Sequence, residues 1–555
     1  SNNTAVGYAA LSVNTTGTSN TAVGHESLDA NTTGAENVAV GQGALTTSTT
    51  GSNNVAVGHA ALNVATTASN NTAVGKLALA SNTTGANNVA LGSLALDANT
   101  TASKNTAIGQ AALGANTTGA NNTSVGQGSL QSNTTASNNT AVGTDALNVN
   151  TTGEQNTCVG TFAGDANTTA ANLTAMGYGA ASSNTTGQAN TAIGGSALFA
   201  NTTADNNTAV GKSALQANTT GEGNVAIGKD SGAANTTGSS NTFVGLDAAT
   251  ANTTGHSNTA IGKTALGANT SGTNNTAVGK NCLLSNTTAA NNTAVGDSAL
   301  GANTTGVSNA AVGAYALDAS TTANNVSGFG YAALSANTTG AANTSVGSQS
   351  LDALTTADEC TAIGADAGGA LTTGNRNTFL GRDAGHNLTT GGRCVFVGQA
   401  TVASSVGVDL EYVLGEGITG KGSQTCFLGG NTGTFNEANE SHFDTTSDSR
   451  IKKNIVNYDT GLSIINQLQV RNFEYKTEDE IKTDNPELTD VIKSAVVNKT
   501  GTQTGLIAQE AEAILASTVV TNTTGIKSLH TDDIFWHMLN AIKELSAKVT
   551  ALEAG

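Results

Sequence analysis

The sequence predicts a mainly β protein: an elongated, trimeric β-solenoid, β-roll or triple β-helix shaft, followed by a small α+β C-terminal domain that ends in a coiled-coil-like helix. Three observations predict this fold class. One phrase recurs with a constant step through residues 1–398, the composition changes at Ser447, and apolar residues near the C-terminus follow a heptad spacing. We therefore divide the chain into a shaft (1–398), an aperiodic β transition collar (399–446) and a C-terminal domain (447–555).

The shaft consists of 24 copies of a 17-residue repeat, N-T-A-V-G-x-x-A-L-x-x-N-T-T-G-x-x, from Gly7 to Gly398 without insertion or deletion. This unit is too short for two helices and suits one coil of stacked short strands. Period-2 alternation predicts that Thr and Val of T-A-V point inward, with Leu of A-L as a second inward site. We expect the glycine after Val to turn a corner at positive φ, and Asn and Thr to form ladders between coils.

Composition excludes several functions. Charged residues make up 11% of the chain and form no basic stripe, so we expect no nucleic-acid binding. The sequence contains no apolar run of 18 residues, so we expect no membrane insertion. Asp does not recur in phase and the cysteines make no C-x-x-C pair, so we expect no metal and no cofactor. We interpret the cysteines as substitutes for small residues rather than as a disulfide framework.

The repeat indicates an oligomer. One Val, one Leu and a few Ala per coil form a thin core for a single chain, so we expect a homotrimer. The last segment adds a heptad seam, with steps of three and four residues, that would gather three C-termini. The seam residues are Phe535, Met538, Ile542, Leu545, Val549 and Leu552.

Two motifs mark the C-terminal domain. The first, S-D-x-R-x-K-x-N-I, comprises Ser447, Asp448, Arg450, Lys452, Asn454 and Ile455. The second, G-x-I-A-Q-E, includes Gly505, Gln509 and Glu510. In both motifs, residues 447–555 resemble the intramolecular chaperone domain of phage tail fibres and tailspikes, the self-cleaving peptidase S74 family.

The resemblance implies that this domain trimerises, sets the register of the repeats and then releases itself. Ser447 would be the nucleophile and Lys452 its general base, because a serine hydroxyl needs a base within hydrogen-bond reach. Asp448, Arg450 and Asn454 would support the dyad. Spacing alone also fits a solvated, basic turn, so the catalytic roles rest on the resemblance. We expect at most one self-cleavage and no turnover enzyme.

The leading functional hypothesis is a structural virion protein, a tail-fibre shaft that is assembled in the host cytoplasm and acts extracellularly at the host surface. Its partners would be a glycan or protein receptor on the host cell and an N-terminal virion attachment partner outside this chain. The repeats also resemble the S-V-A-I-G head repeats of trimeric autotransporter adhesins, so a bacterial surface adhesin is the alternative. A polysaccharide depolymerase is less favoured, because Asp and Glu keep no fixed phase in the repeats.

Overall fold

A computed structural model describes residues 2–429, 434–436, 453–484, 501–521 and 527–555. The chain divides into two compact units, Ser1–Thr445 and Thr446–Gly555. The first is a parallel β-solenoid with one coil per 17-residue repeat, and the second is a small α+β region that ends in a helix. The predicted fold class, a β-solenoid followed by a small α+β region that ends in a helix, is therefore confirmed, and the trimer stays a prediction.

Each coil contributes one three-residue strand, and successive strands pair in parallel without a shift of register, so that Thr21 lies between Thr4 and Val38. The strands are β1 Thr4–Val6, β2 Thr21–Val23, β3 Val38–Val40, β4 Val55–Val57, β5 Thr72–Val74, β6 Val89–Leu91, β7 Thr106–Ile108, β8 Thr123–Val125, β9 Thr140–Val142, β10 Thr157–Val159, β11 Thr174–Met176, β12 Thr191–Ile193, β13 Thr208–Val210, β14 Val225–Ile227, β15 Thr242–Val244, β16 Thr259–Ile261, β17 Thr276–Val278, β18 Thr293–Val295, β19 Ala310–Val312, β20 Ser327–Phe329, β21 Thr344–Val346, β22 Thr361–Ile363, β23 Thr378–Leu380, β24 Val395–Val397, β25 Tyr412–Leu414 and β26 Cys426–Leu428.

The inward face of the strands is the opposite of the predicted one. We number the positions of a coil from the Asn before each strand, so that Asn20 is position 1 and Glu36 is position 17. Ala22 at position 3 is fully buried, whereas Thr21 and Val23 at positions 2 and 4 lie on the outer surface. Alternation allows either face to point inward. Leu28 at position 9 is fully buried, as predicted, and leaves room for only a small residue opposite it.

The turn after each strand uses left-handed backbone. The glycine at position 5 has positive φ in every coil, 138° at Gly24, which confirms the predicted corner. Positions 7 and 9 are also left-handed, with φ of 55° at Glu26 and 54° at Leu28, a conformation that costs a non-glycine residue roughly 1–2 kcal/mol. Cross-coil hydrogen bonds offset the strain: Glu26 N donates to Tyr8 O at 2.8 Å and Leu28 N to Ala44 O at 3.0 Å.

Asn side chains connect the coils in two buried ladders, as predicted. At position 1, the backbone N–H of Asn20 donates to Asn3 Oδ1 at 2.8 Å, and its Nδ2 donates to Gly34 O at 2.8 Å. At position 12, Asn31 Nδ2 donates to Asn14 Oδ1 at 2.8 Å. The position 13 hydroxyl donates to the next coil's position 13 carbonyl. The solenoid therefore buries amides without leaving most of them unpaired.

Two cysteines take over the position 1 role. Cys360 Sγ donates to Gly374 O and Cys394 Sγ donates to Val408 O, each at 3.2 Å, in the place of an Asn amide. Burial raises the pKa of both thiols to about 11, which keeps them protonated and able to donate. All five cysteines are free in the structure, and Cys158, Cys282, Cys360 and Cys394 are buried.

The position 12 ladder breaks where Asn is replaced, and unpaired buried oxygens mark the breaks. Among the described residues, the amide oxygens of Asn31, Asn303 and Asn337 lack a hydrogen-bond partner. The coils that follow them hold Ser48, Ser320 and Leu354 at position 12, and none of these residues has a side-chain amide N–H. Each break leaves a buried acceptor unsatisfied, which is destabilising.

Ser320→Asn is expected to repair the ladder and raise the stability of the shaft. The new Nδ2 would donate to Asn303 Oδ1, and the new Oδ1 would accept from Asn337, a gain of about 1–3 kcal/mol. The reciprocal control is Asn269→Ser, which removes the bonds that join Asn252, Asn269 and Asn286. Thermal unfolding by circular dichroism should show a higher midpoint for Ser320→Asn and a lower one for Asn269→Ser. A lower midpoint for both would contradict the ladder account.

The stack continues past Gly398, where the repeat phrase ends. Strand β25 pairs with β24 after a further 17-residue step, and β26 pairs with β25, so the first part of the predicted aperiodic collar belongs to the solenoid. Glu411, fully buried at position 1, replaces Asn here. Its carboxylate accepts from Ser404 N at 3.0 Å and Gly422 N at 2.8 Å, which anchors two loops that depart from the consensus. Strand β27, Thr434–Asn436, then pairs antiparallel with β26.

The described part of the second unit has two antiparallel strand pairs, four α-helices and one 3-10 helix, Ala516–Thr518. Strands β28 and β29 pair antiparallel, as do β30 and β31, and helix α1 packs against the long helix α4. The elements in chain order are α1 Leu462–Ile465, β28 Arg471–Phe473, α2 Glu478–Asp484, β29 Gln503–Gly505, α3 Ala508–Glu512, β30 Val519–Thr521, β31 Lys527–Leu529 and α4 Asp532–Glu553.

Candidate functional site

The predicted dyad cannot be placed geometrically. Ser447, Asp448, Arg450 and Lys452 lie outside the residues that the structure describes. Asn454 is described: it is exposed and has a left-handed backbone with φ of 57°. An Asn tolerates this conformation better than most residues, which is consistent with a turn directly after the predicted dyad.

The second predicted motif lies where β29 meets α3. Glu510 accepts two hydrogen bonds from Arg471 of β28, at 3.1 Å from Nε and 3.0 Å from Nη2, a bidentate contact that fastens α3 to the β28–β29 pair. The hydrogen bond that Arg471 donates to Glu510 raises the pKa of Arg471. Gly505 lies opposite Arg471 in the antiparallel register, and Gln509 is exposed on α3. The motif therefore organises structure and brings no catalytic group together.

A second contact binds α3 to the other strand pair. Lys527 of β31 donates a hydrogen bond to Glu512, the last residue of α3. Together with the Glu510–Arg471 pair, this contact holds α3 between two strands that are far apart in sequence. Both ion pairs are substantially exposed, so we expect them to set geometry more than stability.

A buried histidine joins the start of the second unit to α4. His537 Nδ1 donates to Thr460 O at 3.0 Å, and Tyr458 Oη lies 2.7 Å from His537 Nε2. Because a carbonyl can only accept, Nδ1 carries a proton, and Nε2 accepts from the tyrosine in the neutral ring. Asn540 Nδ2 donates to Tyr458 O, which adds a third link between this segment and α4. These residues were not predicted, since the contacts span 77 to 82 positions.

A cleft of about 370 Å³ lies beside this network and is lined by Tyr458, Ser517, Asp533, Trp536 and His537. It contains Ser, His and Asp, the residue types of a hydrolytic triad. However, the His537 ring forms its hydrogen bonds with Tyr458 and Thr460 rather than with Ser517 or Asp533. The cleft therefore lacks the nucleophile–base contact that acyl transfer requires, and we assign it no chemistry.

Gly461 permits the close approach of this segment to α4. A Cβ at Gly461 would lie 2.2 Å from the backbone N of Ala541 and 2.5 Å from the carbonyl carbon of Asn540. These are backbone atoms in the middle of a helix, so they cannot move aside. The segment and α4 consequently pack at a distance that only glycine allows at this position.

Gly461→Ala is expected to detach residues 458–465 from α4, with a loss of about 1–3 kcal/mol in the stability of this packing. Hydrogen exchange of the full chain should show faster exchange in α1 and in α4 around Ala541. Ser463→Ala, two residues away at an exposed position, is the matched control and should leave exchange unchanged. Equal protection in the two variants would show that the close contact is not required.

Helix α4 exposes the whole predicted seam. The exposed fractions are 59% for Phe535, 48% for Met538, 63% for Ile542, 52% for Leu545, 44% for Val549 and 81% for Leu552. The face that packs within the unit is the adjacent strip, where His537 and Ala541 are buried. The residues of α4 from Leu545 onward are all exposed. The structure confirms the helix, and no other described element of the second unit covers its apolar seam.

One comparison with known proteins finds a match, and it lies in the C-terminal segment. Residues 447–520 match the model of the peptidase S74 family, described as the chaperone of endosialidase. The match confirms the resemblance that the two motifs predict, and it begins at Ser447. Comparisons with curated proteins and with solved structures find no match. In the described residues, no helix has both the length and the apolar composition needed to cross a membrane.

Proposed function

We propose that this chain is the shaft of a phage tail fibre and that its C-terminal unit is an intramolecular chaperone for the shaft. The observation that carries the proposal is the order of the two parts: a segment matching a chaperone family directly follows a solenoid of nearly identical coils. Nearly identical coils specify their alignment weakly, because a shift by one whole repeat preserves almost every contact. A separate folding unit at one end would supply the missing register.

The chaperone acts as a trimer in this proposal. The exposed seam of α4 supports it, because large apolar side chains at heptad spacing normally pack against other helices. The small core also supports it: among the described residues of this unit only Gly461, Ala511, Thr518, His537 and Ala541 are buried. A unit with so few buried residues gains little stability alone and would gain more by association.

The chaperone then releases itself. Lys452 would take the proton of the Ser447 hydroxyl as its oxygen adds to the carbonyl carbon of the scissile peptide bond, at or beside Ser447. The amine that leaves takes up the proton, and water hydrolyses the resulting ester. The support is the family match, which includes both residues. After release, the shaft would persist through its high barrier to unfolding.

The assembled shaft would belong to the virion and reach the host surface. Its receptor would be a glycan or a protein of the host cell, and an N-terminal partner outside this chain would attach it to the virion. A long parallel solenoid supports this role, since a stack of uniform coils provides length and stiffness. The proposal assigns no receptor-binding residues.

Self-cleavage is tested by intact-mass analysis and denaturing gels of the freshly expressed full chain. Wild type should yield a fragment with the mass of about residues 447–555, whereas Ser447→Ala and Lys452→Ala should remain full length. Ser449→Ala is the matched control, because it removes a hydroxyl two residues away and should still be cleaved. Full-length wild type that sediments as a trimer would overturn cleavage and keep the chaperone. A full-length monomer would overturn both.

A further inference from the structure

The outward side chains of the solenoid strands form two continuous rows. Position 4 holds Val, Ile, Leu, Met or Phe in every strand from β1 to β25. Position 2 holds Thr in most strands and otherwise Val, Ala, Ser or Tyr. Neither position is charged in any of these strands. The outer face of the sheet is therefore an uninterrupted, uncharged strip, which we call the outer strand face.

Charge is common elsewhere on the same coils. Lys229 and Asp230 form an ion pair at positions 6 and 7, and Glu222 is exposed at position 16. Lys212 stands at position 6 of the preceding coil. The outer strand face therefore lacks charged residues, although other positions of the same coils carry them. A surface that stays in water normally mixes charges with its polar residues, so this strip departs from that pattern.

The aliphatic row is open to solvent in the single chain. Leu91 is 46% exposed, Ile227 is 42% exposed and Leu380 is 45% exposed, while the residues between the rows, such as Ala226, are fully buried. No described segment of the first unit covers this row over the length of the sheet. A contiguous apolar strip of this size is characteristic of an interface.

The repeat of the strip restricts what can cover it. The rows recur once per strand, with a spacing of about 4.8 Å. A globular partner or a small ligand would cover a few coils and leave the remainder exposed. Another copy of this chain, parallel and in register, presents the same rows with the same spacing. A standard interface uses about 20–30 residues on each side, which the position 4 row alone supplies.

We infer that the outer strand face is the surface along which copies of this chain pack in the shaft, with their position 4 rows directed toward one another. The inference rests on the trimer proposed above and assigns the surface that the trimer buries. It also explains the reversed orientation of the strands. Ala at position 3 completes the core of each chain, which leaves the β-branched residues for contacts between chains.

Disulfide crosslinking tests the surface. In a Cys426→Ser background of the full chain, Ile227→Cys places a thiol on the outer strand face, where Met176 and Leu91 show that the position accepts other side chains. Glu222→Cys places one at an exposed site outside that face. After mild oxidation, a non-reducing denaturing gel should show at least ten-fold more covalent dimer for Ile227→Cys than for Glu222→Cys.

Sedimentation of the same samples separates this inference from the proposed function. A trimer in which Ile227→Cys crosslinks no better than Glu222→Cys would overturn the assigned surface and leave the trimer intact. A monomeric full chain would overturn both. Preferential crosslinking at Ile227→Cys within a sedimenting trimer supports both.

Discussion

Gly211→Ala is expected to prevent the middle of the shaft from folding, whereas Gly221→Ala, in the same coil, should leave it folded. Gly211 has φ of 133°, and a Cβ there would lie 2.5 Å from the carbonyl oxygen of Gly228 in the next coil. Backbone strain and the clash together are expected to cost on the order of 3–5 kcal/mol. The next coil cannot move away, because its own strand is hydrogen-bonded to its neighbours in the same parallel sheet.

Gly221 is the matched control because other coils already hold alanine at its position. A Cβ at Gly221 would also approach a carbonyl oxygen, that of Gly238 at 2.2 Å, but its φ is not in the left-handed region. Ala204, one coil earlier, occupies the same position and is buried without distorting the stack. Hydrogen exchange across the central coils should show lost protection in Gly211→Ala only. Similar protection in both variants would contradict the steric account.

Gly232→Leu and Phe243→Ala are each expected to destabilise the shaft strongly and to compensate one another when combined. Gly232 stands at position 9, where most coils hold Leu, and Phe243 stands at position 3 of the next coil, where most hold Ala. A Cβ at Gly232 would lie 2.6 Å from Phe243 Cδ2. Phe243→Ala should therefore leave a cavity costing about 3–5 kcal/mol, and Gly232→Leu should overpack by about 1–3 kcal/mol.

A double-mutant cycle measures the compensation. The combined variant returns both positions to the repeat consensus and should recover most of the loss, which gives a coupling energy of about 0.5–3 kcal/mol. Ala249, at position 9 of the coil that holds Phe243, still departs from the consensus Leu. Ala249→Leu should therefore complete the recovery of stability. Thermal midpoints and local hydrogen exchange provide the readout. Additive losses in the double variant would show that the two residues do not share one space.

The sequence predicts the solenoid well where the physical constraint is repeated in every coil. The step of 17, the corner at Gly24, the buried Leu28 and the Asn ladder through Asn20 all follow from residues that recur in phase. The strand orientation was predicted wrongly, because alternation marks two faces without saying which is inside. The left-handed φ of Leu28 has no signature in composition, since Leu is a poor residue for that conformation.

The second unit shows a different limit. Its motif identifies Glu510, and its heptad spacing identifies the helix, because both patterns are local. The partner of Glu510 is Arg471, 39 residues away, and the partners of His537 lie at Tyr458 and Thr460. Such contacts depend on tertiary packing, and no fixed spacing in the sequence reveals them. Ser447 and Lys452 remain predictions, since the described residues do not include them.

The Gly232–Phe243 exchange has a consequence for how such a shaft can change over generations. Consensus coils present the same upper and lower surfaces, so unequal recombination between their coding repeats could add or remove whole coils and alter the length of the solenoid in small, equal steps. The exchanged pair crosses a coil boundary and ties two neighbouring coils together. A duplication that began between them would separate the Phe243 side chain from the space that Gly232 leaves for it. Inherited length changes should therefore be confined to the uniform stretches.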